Sequence, residues 1–493
     1  MRTANLYDWG AKLAGSYVRP HVNNNNKVTE SLAVQYGMPK CRQSDEHLRI
    51  GYLISQFPAI NHGYLFTEIR ELRRGGIDVE VASVRLPDRP LGRLSVDERE
   101  EAKKIYYIKS AGIFGVLAAV VGFGLWRPVR FLQALWYALR LGVNMRRYLH
   151  GALYFAEALL LARWMHDRNL THVHTHFSST IALIAARLAP IQWSWTAHGY
   201  GELHDPSSFQ LAEKIRQADF VRAISKFGRS QLMLECEPET LGKLEYSPLG
   251  IDTSRFAPRP FRERPYPIRI SCIGRLAPEK GQRLLLSAVK RLVEQGRELR
   301  VHFVGDGPDR PDLERQCAEN ELSEYVVFEG WQGQDELRSV YRSTDILVLP
   351  SLYEGIPIVL MEAMAMEIPC VAPRVTGIPE LICDRLEGLL FSPSDEEDLA
   401  RCVGALMDSP PLRRKLGKMA RQRVLRDWNI FINTGRLADM FLRRLSGETS
   451  TAAASRAAER DSIMAESTGL EQGILCEKDF GRLRRVPPTG LSS

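Results

Sequence analysis

Short apolar runs alternate with amphipathic helical patterns along most of this chain of 493 residues. The first set begins with an apolar run at 49–54, a helical pattern at 65–74 and a second run at 79–84. A second set follows the Pro- and Arg-rich stretch 258–267, starting with the apolar run 268–273. This alternation is typical of parallel sheets covered by helices. It predicts an α/β protein with two doubly wound, Rossmann-like domains that face each other across a cleft.

The pattern divides the chain into five segments. Residues 1–45 are polar and residues 447–493 are poor in large apolar side chains, so both segments are predicted to be disordered. Between them we expect an N-terminal domain at 46–257, a C-terminal domain at 258–425 and a C-terminal helix at 426–446. In the C-terminal domain, a helix is predicted from about Gln282 to Glu294. The last helix is expected to cross back to the N-terminal domain.

The net charge of +7 comes from one stretch of the chain. Residues 101–150 hold eight basic side chains and one acidic side chain, and the rest of the chain is balanced. A local excess of this kind favours a local anionic contact over a nucleic-acid surface. The eight cysteines lack a Cys-x-x-Cys pair, and no apolar core follows Met1. We therefore expect a reducing compartment and no secretory signal.

The strongest motif runs from Pro350 to Ala363. A buried strand ends at Pro350, Gly355 permits close backbone approach, and Pro357 suits the first turn of a helix. The free N–H groups of such a turn form an anion site. Glu354 and Glu362 would be about 12 Å apart along a helix, too far to act as acid and base on one bond. They suit the two hydroxyl-bearing ends of an elongated ligand with a phosphate between them.

The stretch from Glu354 to Glu362 resembles the E-x7-E motif of the family 4 glycosyltransferases, especially bacterial exopolysaccharide-biosynthesis members. These are retaining enzymes with two Rossmann-like domains, the GT-B fold. Three further stretches resemble the family: Pro248-Leu249-Gly250-Ile251-Asp252, Gly274-Arg275-Leu276-Ala277-Pro278-Glu279-Lys280-Gly281 and Gly305-Asp306-Gly307-Pro308. The resemblance covers about 49–445 and implies that the N-terminal domain takes the acceptor and the C-terminal domain the nucleotide-sugar donor.

The resemblance also implies roles for individual residues. Arg275 and Lys280 would clamp the donor diphosphate, because both side chains stabilise phosphate oxygens. Glu354 would hold the hydroxyls of the transferred sugar and Glu362 those of the ribose. His198, just past a strand, would face the donor sugar. The remaining donor-site residues, which would approach the phosphates or the nucleotide with their backbone, are Gly274, Gly305, Gly307, Gly355, Ile356 and Pro357.

The acceptor side is less well marked. His62 and Gly63 lie in the first strand-to-helix loop, where exopolysaccharide-type members have a different sequence. In His172-Val173-His174-Thr175-His176, the period of two places three histidines on one face of a strand. A metal site is one interpretation, but no acidic or cysteine ligand accompanies the pattern. The other is that His176, nearest the strand end, lines the acceptor cleft.

The basic segment 101–150 contains sixteen uncharged residues, 111–126, followed by an arginine-flanked helix with Trp136 and Tyr137. A helix of that length reaches about 24 Å, short of a hydrocarbon core of about 30 Å. The pattern favours interfacial contact with an anionic membrane. A packed insertion and a true membrane span are the alternatives.

The resemblance, taken with these observations, implies a retaining glycosyltransferase that moves a sugar from a nucleotide diphosphate sugar to a saccharide or lipid-linked acceptor. We expect it to act in bacterial cell-surface or exopolysaccharide biosynthesis, on the cytoplasmic face of the cell membrane. We expect no cofactor, no metal and no nucleic-acid partner. The alternatives are a phosphorylase or nucleotide-sugar epimerase of the same fold, and a catalytically silent membrane-surface adaptor.

Overall fold

Two parallel sheets organise the computed structural model, which describes residues 48–144 and 148–446. The segments predicted to be disordered, 1–45 and 447–493, lie outside the described residues. The strands of the first sheet are β1 (Arg49–Gln56), β2 (Asp78–Arg85), β3 (Tyr106–Tyr107), β4 (His172–His176), β5 (Gln192–Ala197), β6 (Phe220–Ala223) and β7 (Leu244–Tyr246). Their order is β3-β2-β1-β4-β5-β6-β7, and every pairing is parallel. The strand order runs in one direction from β1 to β3 and in the other from β4 to β7, so it reverses between β1 and β4. In sheets of this kind, a ligand crevice forms at the carboxyl ends of the two strands at the reversal.

Helices cover both faces of this sheet. They are α1 (Gly63–Arg74), α2 (Val96–Ala102), α3 (Gly112–Trp126), α4 (Pro128–Asn144), α5 (Tyr148–Asp167), α6 (Ser179–Leu188), α7 (Tyr200–Leu203), α8 (Pro206–Phe209), α9 (Leu211–Gln217) and α10 (Lys226–Leu234). The predicted basic segment thus contains α3 and α4. Ala119 and Phe123 of α3 and Ala134 and Ala138 of α4 are buried in the same core as α5 and α6.

The second sheet is also fully parallel. Its strands are β8 (Ile268–Ile273), β9 (Leu299–Val304), β10 (Val326–Gly330), β11 (Ile346–Val348), β12 (Cys370–Pro373) and β13 (Leu389–Phe391). They are ordered β10-β9-β8-β11-β12-β13. The helices are α11 (Gln282–Glu294), α12 (Arg310–Glu319), α13 (Gln334–Ser343), α14 (Ile358–Ala365), α15 (Ile378–Leu381), α16 (Glu396–Asp408), α17 (Pro410–Asp427) and α18 (Ile430–Leu445). Two doubly wound sheets confirm the predicted fold class.

The chain passes between the two sheets twice, and the two passages bond to each other. The Ile251 N–H donates to the Trp428 carbonyl over 2.9 Å, and the Ile430 N–H donates to the Ile251 carbonyl over 3.0 Å. Beyond this bridge, α18 returns to the first sheet, where the Phe441 ring lies 6.2 Å from that of Tyr52. The last described helix therefore belongs to the core of the first sheet.

This double passage leaves no room for a side chain at position 250. A Cβ atom on Gly250 would lie 2.6 Å from the Ile430 nitrogen and 2.7 Å from its Cα. We expect Gly250→Ala to lower the free energy of unfolding by about 1–3 kcal/mol, because the backbone must shift to accept the methyl group. Gly242→Ala is the control, since a Cβ there meets nothing within 4 Å. Urea unfolding midpoints measure the difference, and equal midpoints for both variants would show that the passage tolerates the methyl group.

Candidate active site

The carboxyl ends of β8 and β9 carry glycine loops that pack on each other. Gly274 follows β8 with a φ of +154°, and Gly305 follows β9 with a φ of +139°, a region that favours glycine. A Cβ atom on Gly305 would lie 2.1 Å from the Gly274 carbonyl oxygen, and one on Gly307 would lie 2.2 Å from that of Leu276. The structure therefore brings together three of the predicted donor-site glycines, and their missing side chains allow the loops to touch.

Lys280 and Glu354 form an ion pair at the same edge of the sheet. The Lys280 ammonium nitrogen lies 2.6 Å from Glu354 Oε1, and the two side chains are 25% and 11% exposed. The approach depends on Gly281, which has a φ of +64° and where a Cβ would lie 2.2 Å from the Pro350 carbonyl oxygen. Two residues predicted to contact the donor therefore touch each other, although 74 positions separate them in sequence.

Arg275 lies at this strand end with a different partner. Its guanidinium bonds the carboxylate of Glu279, one turn further along the chain, and its side chain is 62% exposed. An exposed arginine in a single surface ion pair is weakly held. Arg275 is thus free to move toward an anion at the strand end, as the predicted diphosphate clamp requires.

The Glu354 loop is held by a threonine that the sequence did not single out. The Glu354 N–H donates to Thr376 Oγ1 over 3.0 Å, and the Thr376 hydroxyl donates to the Glu354 carbonyl over 2.6 Å. Beside it, a Cβ on Gly377 would lie 1.7 Å from the Gly355 carbonyl oxygen. The contact depends on a segment 22 residues further along the chain, so no local pattern indicates it.

Glu362 stands in the second turn of α14, beyond the Glu354 loop. Pro357 is the N-cap of this helix, with a ψ of 113°, so its predicted place inside the first turn is wrong by one residue. The Tyr341 hydroxyl donates to Glu362 Oε2 over 2.7 Å. Desolvation raises the pKa of Glu362 to about 7, against the opposing effects of this hydrogen bond and of Arg255. A carboxylate with an environment this perturbed is typical of a functional site.

The first sheet contributes His198, which meets the second sheet at Gly355. A Cβ on Gly355 would lie 2.1 Å from the His198 carbonyl oxygen, and one on Gly199 would lie 3.0 Å from the Gly355 Cα. Gly199 has a φ of +131°, which favours glycine. The structure thus places His198 directly against the loop of Glu354.

The His62–Gly63 loop also reaches the second sheet. His62 Nδ1 lies 3.0 Å from the Gln56 carbonyl, and the His62 ring stacks on Phe177 with centroids 5.0 Å apart. A Cβ on Gly63 would lie 2.2 Å from Nε2 of Gln334, the first residue of α13. Gly63 therefore lies against α13 of the second sheet's domain, whereas His62 packs within the first, and Gln334 is a neighbour that the sequence did not indicate.

The histidines of β4 share one face, as the period of two predicts. His172 Nε2 and His174 Nδ1 lie 2.7 and 2.8 Å from Ser194 Oγ, and His174 Nε2 lies 2.7 Å from Thr196 Oγ1. These hydroxyls of the neighbouring strand occupy one ring nitrogen of His172 and both of His174. His172 Nδ1 and His176 Nε2 have no hydrogen-bond partner among the described residues. Within 48–144 and 148–446, no group of three or more His, Cys, Asp or Glu side chains is arranged to hold a metal ion.

His176 does not line the cleft, so that expectation is wrong. Its side chain is fully buried, and its Nδ1 lies 2.9 Å from His198 Nε2. The strand end is where the sequence placed it, but His198 lies between His176 and the second sheet. His176 therefore supports His198 from behind.

Known proteins match both the second sheet and the whole fold. The family described as glycosyl transferases group 1 matches residues 255–423. WcaL of Escherichia coli (strain K12) is 33% identical over 241 residues, 47% of this chain and 58% of that protein. The GDP-mannose-dependent alpha-(1-6)-phosphatidylinositol monomannoside mannosyltransferase of Mycolicibacterium smegmatis is 31% identical over 46% of this chain and 63% of its own length. The chain thus aligns with roughly three fifths of these two relatives.

Other matches extend over most of the chain. The amylovoran biosynthesis glycosyltransferase AmsK of Erwinia amylovora is 24% identical over 80% of this chain and 100% of its own length. The sucrose-phosphate synthase of Thermosynechococcus elongatus superposes with a TM-score of 0.63 at 19% identity, covering 81% of this chain and all of that one. Anabaena HepE in complex with UDP-glucose gives 0.60 at 15% identity, with the same coverage. Residues 255–423 are therefore a glycosyltransferase group 1 domain, in a chain that has the GT-B fold.

Proposed function

We propose that this protein is a retaining glycosyltransferase that uses a nucleotide diphosphate sugar and a saccharide or lipid-linked acceptor. The observation that carries the proposal is the Lys280–Glu354 ion pair, beside which the His198 backbone packs on Gly355 where the carboxyl edges of the two sheets meet. A cation and a carboxylate there, with a histidine in the adjoining loop, suit an anionic leaving group beside a polyhydroxylated sugar. AmsK, whose name refers to amylovoran biosynthesis, supports a role in bacterial surface or exopolysaccharide synthesis.

The reaction needs stabilisation of the departing diphosphate above all. The bond between the anomeric carbon and the phosphate oxygen breaks, and a bond to the acceptor oxygen forms on the same face of the sugar. The acceptor proton passes to a phosphate oxygen, so no protein base is assigned. Lys280 and Arg275 neutralise the developing negative charge, together with the N–H groups at the start of α14.

Glu354 and Glu362 bind opposite ends of the donor. In this proposal the diphosphate takes Lys280 from Glu354, and Glu354 then accepts hydrogen bonds from the hydroxyls of the transferred sugar. Glu362 accepts those of the ribose. Relatives and structural neighbours carry names with both GDP-mannose and UDP-glucose, so the proposal covers nucleotide diphosphate sugars as a class.

The ammonium group of Lys280 is the first test. We expect Lys280→Ala to lower kcat for acceptor-dependent nucleotide diphosphate release by about 100-fold or more, because one donor at a developing charge contributes that much. Lys290→Ala is the control, since Lys290 lies in the next helix with its side chain exposed and bonds only Asn320 among the described residues. Near-normal turnover of the Lys280 variant would overturn the assignment, and release without acceptor would favour a hydrolase or phosphorylase.

We further propose that the diphosphate is neutralised without a metal ion. The two cations and the start of α14 supply positive charge, and the sequence contains no Asp-x-Asp motif. Activity should therefore be the same in excess EDTA as in magnesium or manganese. Loss of activity on chelation, restored by either metal, would contradict this.

We also propose that the outer faces of α3 and α4 bind an anionic membrane. Ten large apolar side chains on these faces are between 44% and 84% exposed. They are Ile113, Phe114, Leu117, Val121, Leu125, Trp126, Val129, Leu132, Trp136 and Leu139. A patch of this size is far beyond the scattered apolar residues of an ordinary protein surface. Each helix packs apolar side chains on the protein core with its inner face and exposes other apolar side chains on its outer face. This arrangement suits helices that lie between the protein and lipid.

The geometry favours a helix lying along the membrane. By length and composition, Ile108–Trp126, with a mean hydropathy of 1.9, is the one described helix that could cross a membrane. The α-helical part, α3, has 15 residues, about 22 Å, which is shorter than a hydrocarbon core of about 30 Å. The preceding residues Ile108–Ala111 form a 3-10 turn that is held in the core by the buried side chain of Ile108. Its inner face is also packed, since Ala119 is 2% and Phe123 6% exposed. A helix held against the domain in this way can immerse one face only.

Arginines stand beside the aromatic residues of this surface. The Arg127 guanidinium lies 4.4 Å from the Trp126 ring centroid, and that of Arg140 lies 5.3 Å from the Trp136 centroid. Tryptophan and arginine together are typical of the headgroup region. The arrangement supports the proposal that the protein binds the inner face of a bacterial membrane, which is rich in anionic lipid.

The arginines of this surface provide the membrane test. We expect the triple variant Arg127→Glu, Arg130→Glu and Arg140→Glu to bind phosphatidylglycerol vesicles about 100-fold more weakly, because each basic residue contributes about 1 kcal/mol near such a surface. The triple variant Lys290→Glu, Arg385→Glu and Lys415→Glu is the control, with the same charge change on the second sheet's domain. Equal binding by wild type and the first variant would contradict the proposed membrane contact. Wild-type binding that resists high salt and alkaline carbonate would indicate a helix that spans the membrane.

A further inference from the structure

A chain of buried polar groups runs from α1 through β4 to His198. His176 Nε2 lies 3.7 Å from Glu68 Oε1, and His176 Nδ1 lies 2.9 Å from His198 Nε2. At the far end, His198 Nδ1 lies 3.4 Å from the Tyr64 hydroxyl. Glu68 and His176 are both almost completely buried, so water does not screen this chain. None of the proposed catalytic steps uses Glu68 or His176.

A buried arginine holds the negative charge of Glu68 in place. Arg222 Nη1 donates to Glu68 Oε2 over 2.8 Å, and the rest of its guanidinium donates to the carbonyls of Ser247 and Pro248. The Tyr52 hydroxyl donates to Glu68 Oε1 over 3.3 Å. A buried ion pair of this kind contributes little net stability but is costly to break. The pair therefore fixes a carboxylate at one position behind His176.

The imidazole rings of His176 and His198 are neutral. Burial lowers the pKa of both His176 and His198 well below the ordinary range, and the charge of Arg222 and neighbouring histidines act in the same direction. Each ring therefore carries one N–H and one bare nitrogen. In a hydrogen bond between two neutral imidazoles, one ring must donate and the other must accept.

The carboxylate decides which ring donates. His176 Nε2 is buried without a hydrogen-bond partner among the described residues, and Glu68 Oε1 is the carboxylate facing it. A proton on Nε2 is attracted to that negative charge, whereas a bare lone pair is repelled. His176 Nδ1 is then bare and accepts the proton of His198 Nε2. His198 Nδ1 is left bare, and Tyr64, whose pKa is raised by burial, keeps its proton and donates to it.

We propose that Glu68 and Arg222 are positioning residues that set the tautomer of His198 through His176. The inference rests on the proposed function, in which His198 faces the donor sugar. His198 presents a bare Nδ1 beside Tyr64, and this nitrogen accepts a hydroxyl of the transferred sugar in exchange for the long bond to Tyr64. With the opposite tautomer, Nδ1–H would be unable to accept.

Histidine nitrogen shifts test this directly in the full chain. With ¹⁵N-labelled histidine, we expect wild-type His198 to show a protonated Nε2 and a bare Nδ1, assigned by the loss of its signals in His198→Asn. In Glu68→Gln the two tautomers should mix, and kcat should fall by about 10-fold to 100-fold, the range for removal of an orienting partner. His176→Phe should have the same effect without leaving Arg222 unpaired, which keeps the test valid if Glu68→Gln does not fold.

His174→Phe is the matched control. His174 is the preceding histidine on the same face of β4 and is equally buried, but its ring bonds Ser194 and Thr196. It should leave the His198 tautomer unchanged at a comparable cost in stability. A wild-type His198 protonated on Nδ1, or identical His198 shifts in wild type, Glu68→Gln and His176→Phe, would overturn the inference. A wild type that shows the expected tautomer but transfers no sugar would instead contradict the proposed function.

Discussion

The site depends on backbone contact between the edges of the two sheets. The Gly355 carbonyl lies against Gly377 on one side, and the Gly355 Cα lies against the His198 carbonyl on the other. Only hydrogen atoms fit between these three backbone segments, so the contact fixes the distances between the side chains that they carry. His198 and Glu354 stand on its two sides. A methyl group within this stack would separate the imidazole from the carboxylate, although neither side chain would be changed.

Charge pairing at this contact follows from the same closeness. Lys280 is only 25% exposed, so its ammonium group needs a counter-charge, and Glu354 provides it. A phosphate group can replace that carboxylate because it offers the same charge with more oxygens. Under the proposed function, the pair therefore holds both side chains where a nucleotide-sugar donor can bind each of them. Arg275 is less dependent on its partner Glu279, because its side chain is 62% exposed and solvent screens its charge.

The regular elements of the fold were well predicted from local patterns. The helix expected from about Gln282 to Glu294 has those bounds in the structure, because its apolar positions follow the helical period between two loops. The strand Phe220–Ala223 was missed, since Arg222 in its centre is a poor signal for a buried strand. That arginine is acceptable only because Glu68, 154 positions earlier, faces it. No window of sequence contains both residues.

The residues of the candidate site also fall into those that local sequence indicates and those that it does not. Lys280, Glu354 and His198 could be predicted because each belongs to a motif at a strand end. Thr376, Tyr341 and Gln334 could not, because their contacts arise only when distant segments pack. The burial of His176 belongs to this second class. Its position on β4 follows from sequence, but the loop that covers it begins after another strand.

The surface proposed to bind lipid is connected to the site by a short rigid path. Helix α5, which carries the packed faces of α3 and α4, leads after a short turn into β4. The far end of β4 is His176, which bonds His198. The proposed docking of α3 and α4, whose inner faces pack on α5, would therefore fix the orientation of the cleft relative to the membrane. An acceptor held in that membrane would then meet the site at a constant distance and angle.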